Sequence, residues 1–233
     1  MIEGIYAHPD EIKKEIKRCP VAIVPWGAFE WHGPHLPLGT DGLKAVKISE
    51  LVAEKLGGGV IFPPVYFGHK TLKKWKGFPF TIETRPETVR EILWDLMVNL
   101  EQENFRLLII MAGHFGRTHQ GILRSTIEEF NQSHTGPMTI WMVADYHLVE
   151  DLGFSTADHA GPYETTLMMY LYPDLVHMEN LKVPPDESLE SVGIFGGDPR
   201  KESSYESGKK TTGLIVDRLV SRIKEFLDKS AKS

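Results

Sequence analysis

A chain of 233 residues with 41% hydrophobic residues has enough apolar material for a substantial core. Its formal charge of -6 is modest, and its lysines and arginines are scattered rather than striped, which excludes an obvious nucleic-acid face. The longest apolar runs, such as "LLIIMAG", are far too short to cross a bilayer, so no membrane association is expected.

Residues 1–19 lack the apolar middle of a signal peptide, and a cytoplasmic protein is expected. Cys19 is the only cysteine, so an intramolecular disulfide is impossible and a cysteine-based zinc site is disfavoured. "VAIVPW", residues 21–26, reads as a buried strand. Residues 42–57 follow with Leu43, Val46, Ile48, Leu51, Val52 and Leu56 near helical spacing and Gly57 placed to end the helix. "VIFPPV", residues 60–65, predicts a second strand. Residues 86–104 predict a helix opened by Pro86, with Val89, Ile92, Leu93, Leu96, Met97 and Leu100 on one stripe. "RLLIIMAG" is a third strand, "HQGILRSTIEEFNQ" a helix, and "MTIWMVAD", residues 138–145, a fourth strand. "YETTLMMYLYP" predicts a helix stopped by Pro173. Residues 182–210, rich in Pro, Gly, Ser and charge, predict a long loop before the amphipathic helix "TTGLIVDRLVSRIKEFLDK". Continuous apolar strands alternating with helices imply one α/β domain over residues 1–233, its mainly parallel sheet covered on both faces. Ligands in such sheets bind beyond the carboxyl ends of the strands.

"WGAFEWHGPHLPLGTD", residues 26–41, follows the first predicted strand at that edge. Glycines and prolines restrict it to particular turns. Glu30 and His32 are two apart, so an extended segment points both the same way. Asp41 just before the helix at Gly42 would alone read as a cap. Together, Glu30, His32 and Asp41 are ligand types suited to zinc, manganese or iron. His114 emerges from the third strand in "MAGHFGR", beside small residues that admit close approach. In "DHAGPYETT", His159 and Glu164 flank a Gly-Pro turn that can aim both inward. Glu30, His32, Asp41, His114 and Glu164 would balance two divalent ions if one carboxylate bridges. His35 also lies close to the cluster, whereas His69, His119, His134, His147 and His177 are expected at the surface or in the core.

"VPWGAFEWHGPHLPLGTD", "AGHFGR", "HAGPYETT" and "GIFGGDPRKESSYESG" resemble, in order, the signature segments of the creatininase (creatinine amidohydrolase) family. The resemblance implies a three-layer α/β/α amidohydrolase with one or two divalent metal ions (Zn, Mn or Fe), assembled as a homo-oligomer, often a hexamer. By position, Glu30, His32, Asp41, His114 and Glu164 match family metal ligands, with Asp41 in the bridging place. His159 matches an acid/base histidine, and Glu164 joins it as a catalytic candidate. Ala112 and Arg117 stand where relatives often carry Asn, and Trp31 where Gln is common. Gly116 stands where creatininase itself has a ligating Glu, and "KKWKGFPFTIE" lacks a usual His. These departures bear on the substrate more than on the metal site.

The expectation is a hydrolase that opens or cleaves a small cyclic amide or related carbonyl compound with metal-activated water, His159 carrying the proton. One alternative keeps the site and cleaves a C–C bond of a cyclic ketone or diketone, such as an oxidised polyol ring. Another is a non-catalytic, metal-stabilised oligomer that binds a small molecule. Arg117, Lys73, Lys74 and Lys76 would favour a polyhydroxylated or anionic substrate.

Overall fold

Short apolar runs rich in Val and Ile bury both faces most readily as central strands. In the computed structural model, which describes residues 1–73, 77–153, 158–184 and 187–230, they do so. Strands β1 (Ile2–Glu3), β2 (Val21–Trp26), β3 (Val60–Ile61), β4 (Leu107–Ala112) and β5 (Thr139–Ala144) form one sheet in the order β1-β3-β2-β4-β5. Every pair is parallel, with Val21 opposite Leu107 and Trp26 opposite Ala112 in the central pair. The helices are α1 (Pro9–Arg18), α2 (Thr40–Leu56), α3 (Pro86–Gln102), α4 (Arg117–Ser133), α5 (Pro162–Leu171), α6 (Pro199–Glu202) and α7 (Tyr205–Ser230).

The period of two along each strand assigns the layers. Val21, Ile23, Leu107, Ile109, Met111 and Val143 pack against Ile48 and Val52 of α2, Leu167 of α5, and Ile215 and Leu219 of α7. Ala22, Val24, Trp26, Leu108 and Ile110 pack on the opposite face against Val89, Leu93 and Met97 of α3 and Leu123 and Phe130 of α4. Each fully buried Leu or Ile contributes about 1.5–3 kcal/mol of transfer free energy. The result is the expected three-layer α/β/α arrangement. Among the described residues, no helix is long and apolar enough to cross a membrane.

Two local expectations need correction. The strand expected over residues 60–65 is only β3 plus a single Trp26–Val65 bridge, because Pro63 and Pro64 offer no N–H to a ladder. Residues 182–210 are not one loop: they hold a 3₁₀ turn at Leu189–Val192, helix α6 and the first turns of α7, so the C-terminal helix begins at Tyr205. Strand β1 and helix α1 precede the first strand expected from the sequence. The latter opens with Pro9, and the Glu11 carboxylate accepts the His8 N–H at 2.8 Å.

The topology places a crevice. Helix α2 leads from β2 to β3 on one face, whereas α4 leads from β4 to β5 on the other, so the carboxyl ends of β2 and β4 flank a switch point. Gly27 and Gly113 follow these two strands, and both face the start of α2. A Cβ on Gly27 would run into the Gly42 nitrogen, and one on Gly113 into the Asp41 carbonyl. The start of α2 sits against the sheet edge because neither residue has a side chain. G113A is therefore expected to destabilise the protein by about 1–3 kcal/mol through overpacking and to displace Asp41. Thermal unfolding and zinc content, measured on one preparation, check both consequences.

Candidate metal centre

The segment between β2 and α2 is held by its own backbone. The Glu30 N–H donates to the Leu38 carbonyl at 2.9 Å, the Phe29 N–H to Tyr66, and the Trp31 N–H to the Thr81 hydroxyl at 2.9 Å. This pinning turns Glu30 and His32 into the crevice. Asp41 is not the helix cap: the N-cap is Gly39, and Asp41 lies inside the first turn of α2. Its Oδ1 is 3.0 Å from His32 Nε2, and its Oδ2 is 3.0 Å from His114 Nδ1. His114 leaves β4, and Glu164 sits in the first turn of α5.

Two groups result, with Asp41 in both. Glu30, Asp41 and His114 bring one ligand atom each within 4.8 Å of the others, and so do His32, Asp41 and Glu164. Glu30 Oε2 is 3.2 Å from His114 Nδ1, and Glu164 Oε2 is 3.4 Å from His32 Nε2. All five side chains are buried. The five expected ligands, widely separated in sequence, thus meet in space. Glu30, His32 and His159 form a further group of the same reach, with the His159 and His32 ring centroids 4.3 Å apart.

Hydrogen bonds set which imidazole nitrogen is free. His32 Nδ1–H donates to the Glu30 carbonyl at 3.0 Å, leaving Nε2 toward Asp41 and Glu164. His114 Nε2–H donates to the His69 carbonyl at 3.0 Å, leaving Nδ1 toward Asp41 and Glu30. Such outer partners orient metal-binding imidazoles. The Leu72 N–H donates to Glu30 Oε1 at 2.6 Å, so residues 69–72 hold one carboxylate and one imidazole of the cluster. Glu83 clamps this strap: it accepts the N–H groups of Lys70 at 3.0 Å and Thr71 at 2.8 Å, with Lys70 at a φ of +64°.

Electrostatics call for a cation. Burial opposes charge on His32, but Asp41 and Glu164 outweigh it and raise its pKa well above 6.5. Burial is likewise outweighed at His114 by Glu30 and Asp41. Burial works against the charge of Glu164, yet Lys44 and His32 hold its carboxyl down to about 2. Glu30 Oε2 is buried without a hydrogen-bond partner. Three carboxylates, two imidazoles with correctly directed lone pairs and an orphaned carboxylate oxygen fit one or two divalent ions.

His159 differs. It is pinned by paired backbone hydrogen bonds to Phe195, and its Nε2–H donates to the Trp31 carbonyl at 2.8 Å, which frees Nδ1. Burial and the charge of His32 pull its pKa below 6.5. His35 is buried against the Thr165 hydroxyl at 2.9 Å, its pKa driven down to about 4 by burial and His32, and belongs to neither ligand group. Sequence reasoning missed four contributors: Lys44, the His69 carbonyl, the Glu83 clamp, and Asp158, whose carboxylate accepts the N–H groups of Tyr163 and Glu164 at 3.1 Å each and so sets the start of α5. An acid five residues before a first-turn position was a usable signal for Asp158. Nothing local marked Lys44.

Above the cluster opens a pocket of about 650 Å³, with Phe115 and Phe195 on its walls and Lys70, Arg117 and Glu190 among its other lining residues. A parallel α/β sheet with this carboxylate–imidazole cluster at its carboxyl edge defines a metal-dependent hydrolase. The chain belongs to the creatininase (creatinine amidohydrolase) family, whose profile matches residues 7–223. It is 28% identical to creatinine amidohydrolase of Pseudomonas putida over 235 residues, covering 88% of this chain and 89% of that protein. It is 27% identical to 3-dehydro-scyllo-inosose hydrolase of Thermotoga maritima over 179 residues, covering 72% of this chain and 56% of that one. A solved structure described as creatininase Mn superposes with a TM-score of 0.80 at 22% identity, covering 95% of this chain and 97% of that chain. The residues gathered here could hold a divalent metal ion.

Proposed function

We propose that the protein hydrolyses a small cyclic amide or a related cyclic carbonyl compound, with Glu30, His32, Asp41, His114 and Glu164 as metal ligands and His159 as acid/base. The observation that carries this reading is the pair of ligand groups sharing Asp41 at the floor of a pocket that also exposes His159. Divalent ions bound there would acidify water and polarise a carbonyl. The remaining steps belong to the chain. His159 Nδ1, left free by the bond to Trp31, takes a proton from the attacking water and returns it to the leaving nitrogen. Phe115 and Phe195, both lining the pocket, offer apolar surface against which a flat ring would pack.

A second substrate, a cyclic polyhydroxy ketone cleaved at a C–C bond, is favoured by Lys70 and Arg117 among the lining residues and by the likeness to 3-dehydro-scyllo-inosose hydrolase. Lys73 does not line the pocket, and Lys74 and Lys76 lie outside the described residues. The open pocket weighs against a purely structural metal site. We read residues 1–233 as one creatininase-like domain, homo-oligomeric and cytoplasmic.

A panel of lactams, cyclic ureides, formamides and cyclic polyhydroxy ketones, offered to the zinc, manganese and iron forms, tests the reading. Ring opening of an amide, lost on chelation and regained with metal, is expected. Turnover confined to the ketones would transfer the assignment to C–C cleavage. Metal-loaded protein that binds panel members and turns over none would make it a binding protein.

A further inference from the structure

Lys44 lies one turn after Asp41 on α2 with none of its surface exposed. A buried ammonium is costly unless paired. Its partner is Glu164 Oε1, and Nζ also lies 4.2 Å from the centre of the Phe115 ring. Asp145, on the segment after β5, and Asp41 are the other acids whose charge reaches it. Glu164 Oε2 accepts the Ala160 N–H at 2.8 Å and faces His32. One oxygen of Glu164 is thus committed to a permanent positive charge. Glu30 has no such neighbour: among the described residues its carboxylate pairs with no lysine or arginine, and its Oε2 makes no hydrogen bond.

The two halves of the centre therefore differ in charge. Both share Asp41, and each has one neutral imidazole when loaded. Among the described residues the Glu30 half has no lysine or arginine of its own, whereas Glu164 is paired with the Lys44 ammonium, which the more distant charge of Asp145 offsets only in part. We infer that Lys44 makes the metal centre unequal: the Glu30–Asp41–His114 half holds one ion tightly, and the His32–Asp41–Glu164 half binds a second ion weakly because the ammonium already supplies positive charge there. This rests on the reading of these residues as metal ligands. It concerns only how the halves share the metal.

Zinc titration against a competing chelator, with zinc counted per chain after dialysis, tests the inference on wild type, K44M and K44Q. Wild type is expected to keep one zinc through dialysis and to bind a second with a dissociation constant roughly 10²-fold or more weaker, the scale set by repulsion between an ammonium and a divalent ion a few ångströms apart in a partly desolvated site. K44M and K44Q are expected to keep two, the weak constant tightening by a similar factor (on the order of 10²) and the strong one nearly unchanged. K44Q retains a hydrogen-bond donor for Glu164 and carries the test should K44M fail to fold. H32A is expected to remove the weak ion and H114A the tight one. Two equally tight zinc ions in wild type would overturn the inference, as would a second constant indifferent to both Lys44 variants. Wild type that binds no zinc would instead overturn the metal-centre reading, and this inference with it.

Discussion

D41N is expected to lower kcat/KM by roughly 10³-fold or more, because metal polarisation supplies several kcal/mol of transition-state stabilisation and each 1.36 kcal/mol is tenfold in rate. The asparagine keeps the size and one acceptor oxygen of Asp41, so α2 has no steric reason to move. It removes a charge that lies 3.0 Å from both His32 Nε2 and His114 Nδ1, through a separate carboxylate oxygen to each. Zinc content should fall in both halves, with thermal stability measured in parallel to show that the fold persists. Asp41 that served only its helix would leave zinc content and activity untouched in D41N, and that outcome would end the bridging role.

H159A is expected to lower kcat by roughly 10²–10⁴-fold, the contribution of one acid/base group, with metal content nearly unchanged. The pH profile separates proton transfer from support of the turn. Burial depresses the pKa of His159 from 6.5, so the neutral base persists below that value. Wild-type kcat/KM should therefore rise with pH across a window below 6.5 and then level off, since protonation removes the base as pH falls through the depressed pKa. In H159A that acidic limb should vanish from the residual activity. A variant that loses zinc would make His159 a ligand, in keeping with its reach to Glu30 and His32. A variant that keeps the limb would pass the proton to another group.

The two expectations differ in how visible their residues were in the sequence. Glu30, His32 and Asp41 share one stiff segment after an apolar run, so type, spacing and place at a strand end pointed to them. His114 and Glu164 were legible because short glycine-rich turns at strand and helix ends carry few residues with metal chemistry. The central strands and long helices were legible for a similar reason: burial on both faces imposes an unbroken apolar run, and burial on one imposes the 3.6-residue stripe. The strand after α2 was over-extended because two prolines inside an apolar run forbid a ladder that hydrophobicity alone would favour.

Sequence by itself determined the alternation of elements, the apolar faces that become two core layers, and five candidate residues with metal-ligand chemistry, since these follow from local periodicity and side-chain type. Only the tertiary structure decided how those residues combine. Strand order brings the ends of β2 and β4 side by side, and two glycines let α2 advance until Asp41 stands between His32 and His114. The same approach buries Lys44 against Glu164, 120 positions away in the chain. Neither residue's neighbours in sequence encode that meeting, because the pairing of a buried charge is settled by which element packs on which, and its desolvation cost exists only once they have packed.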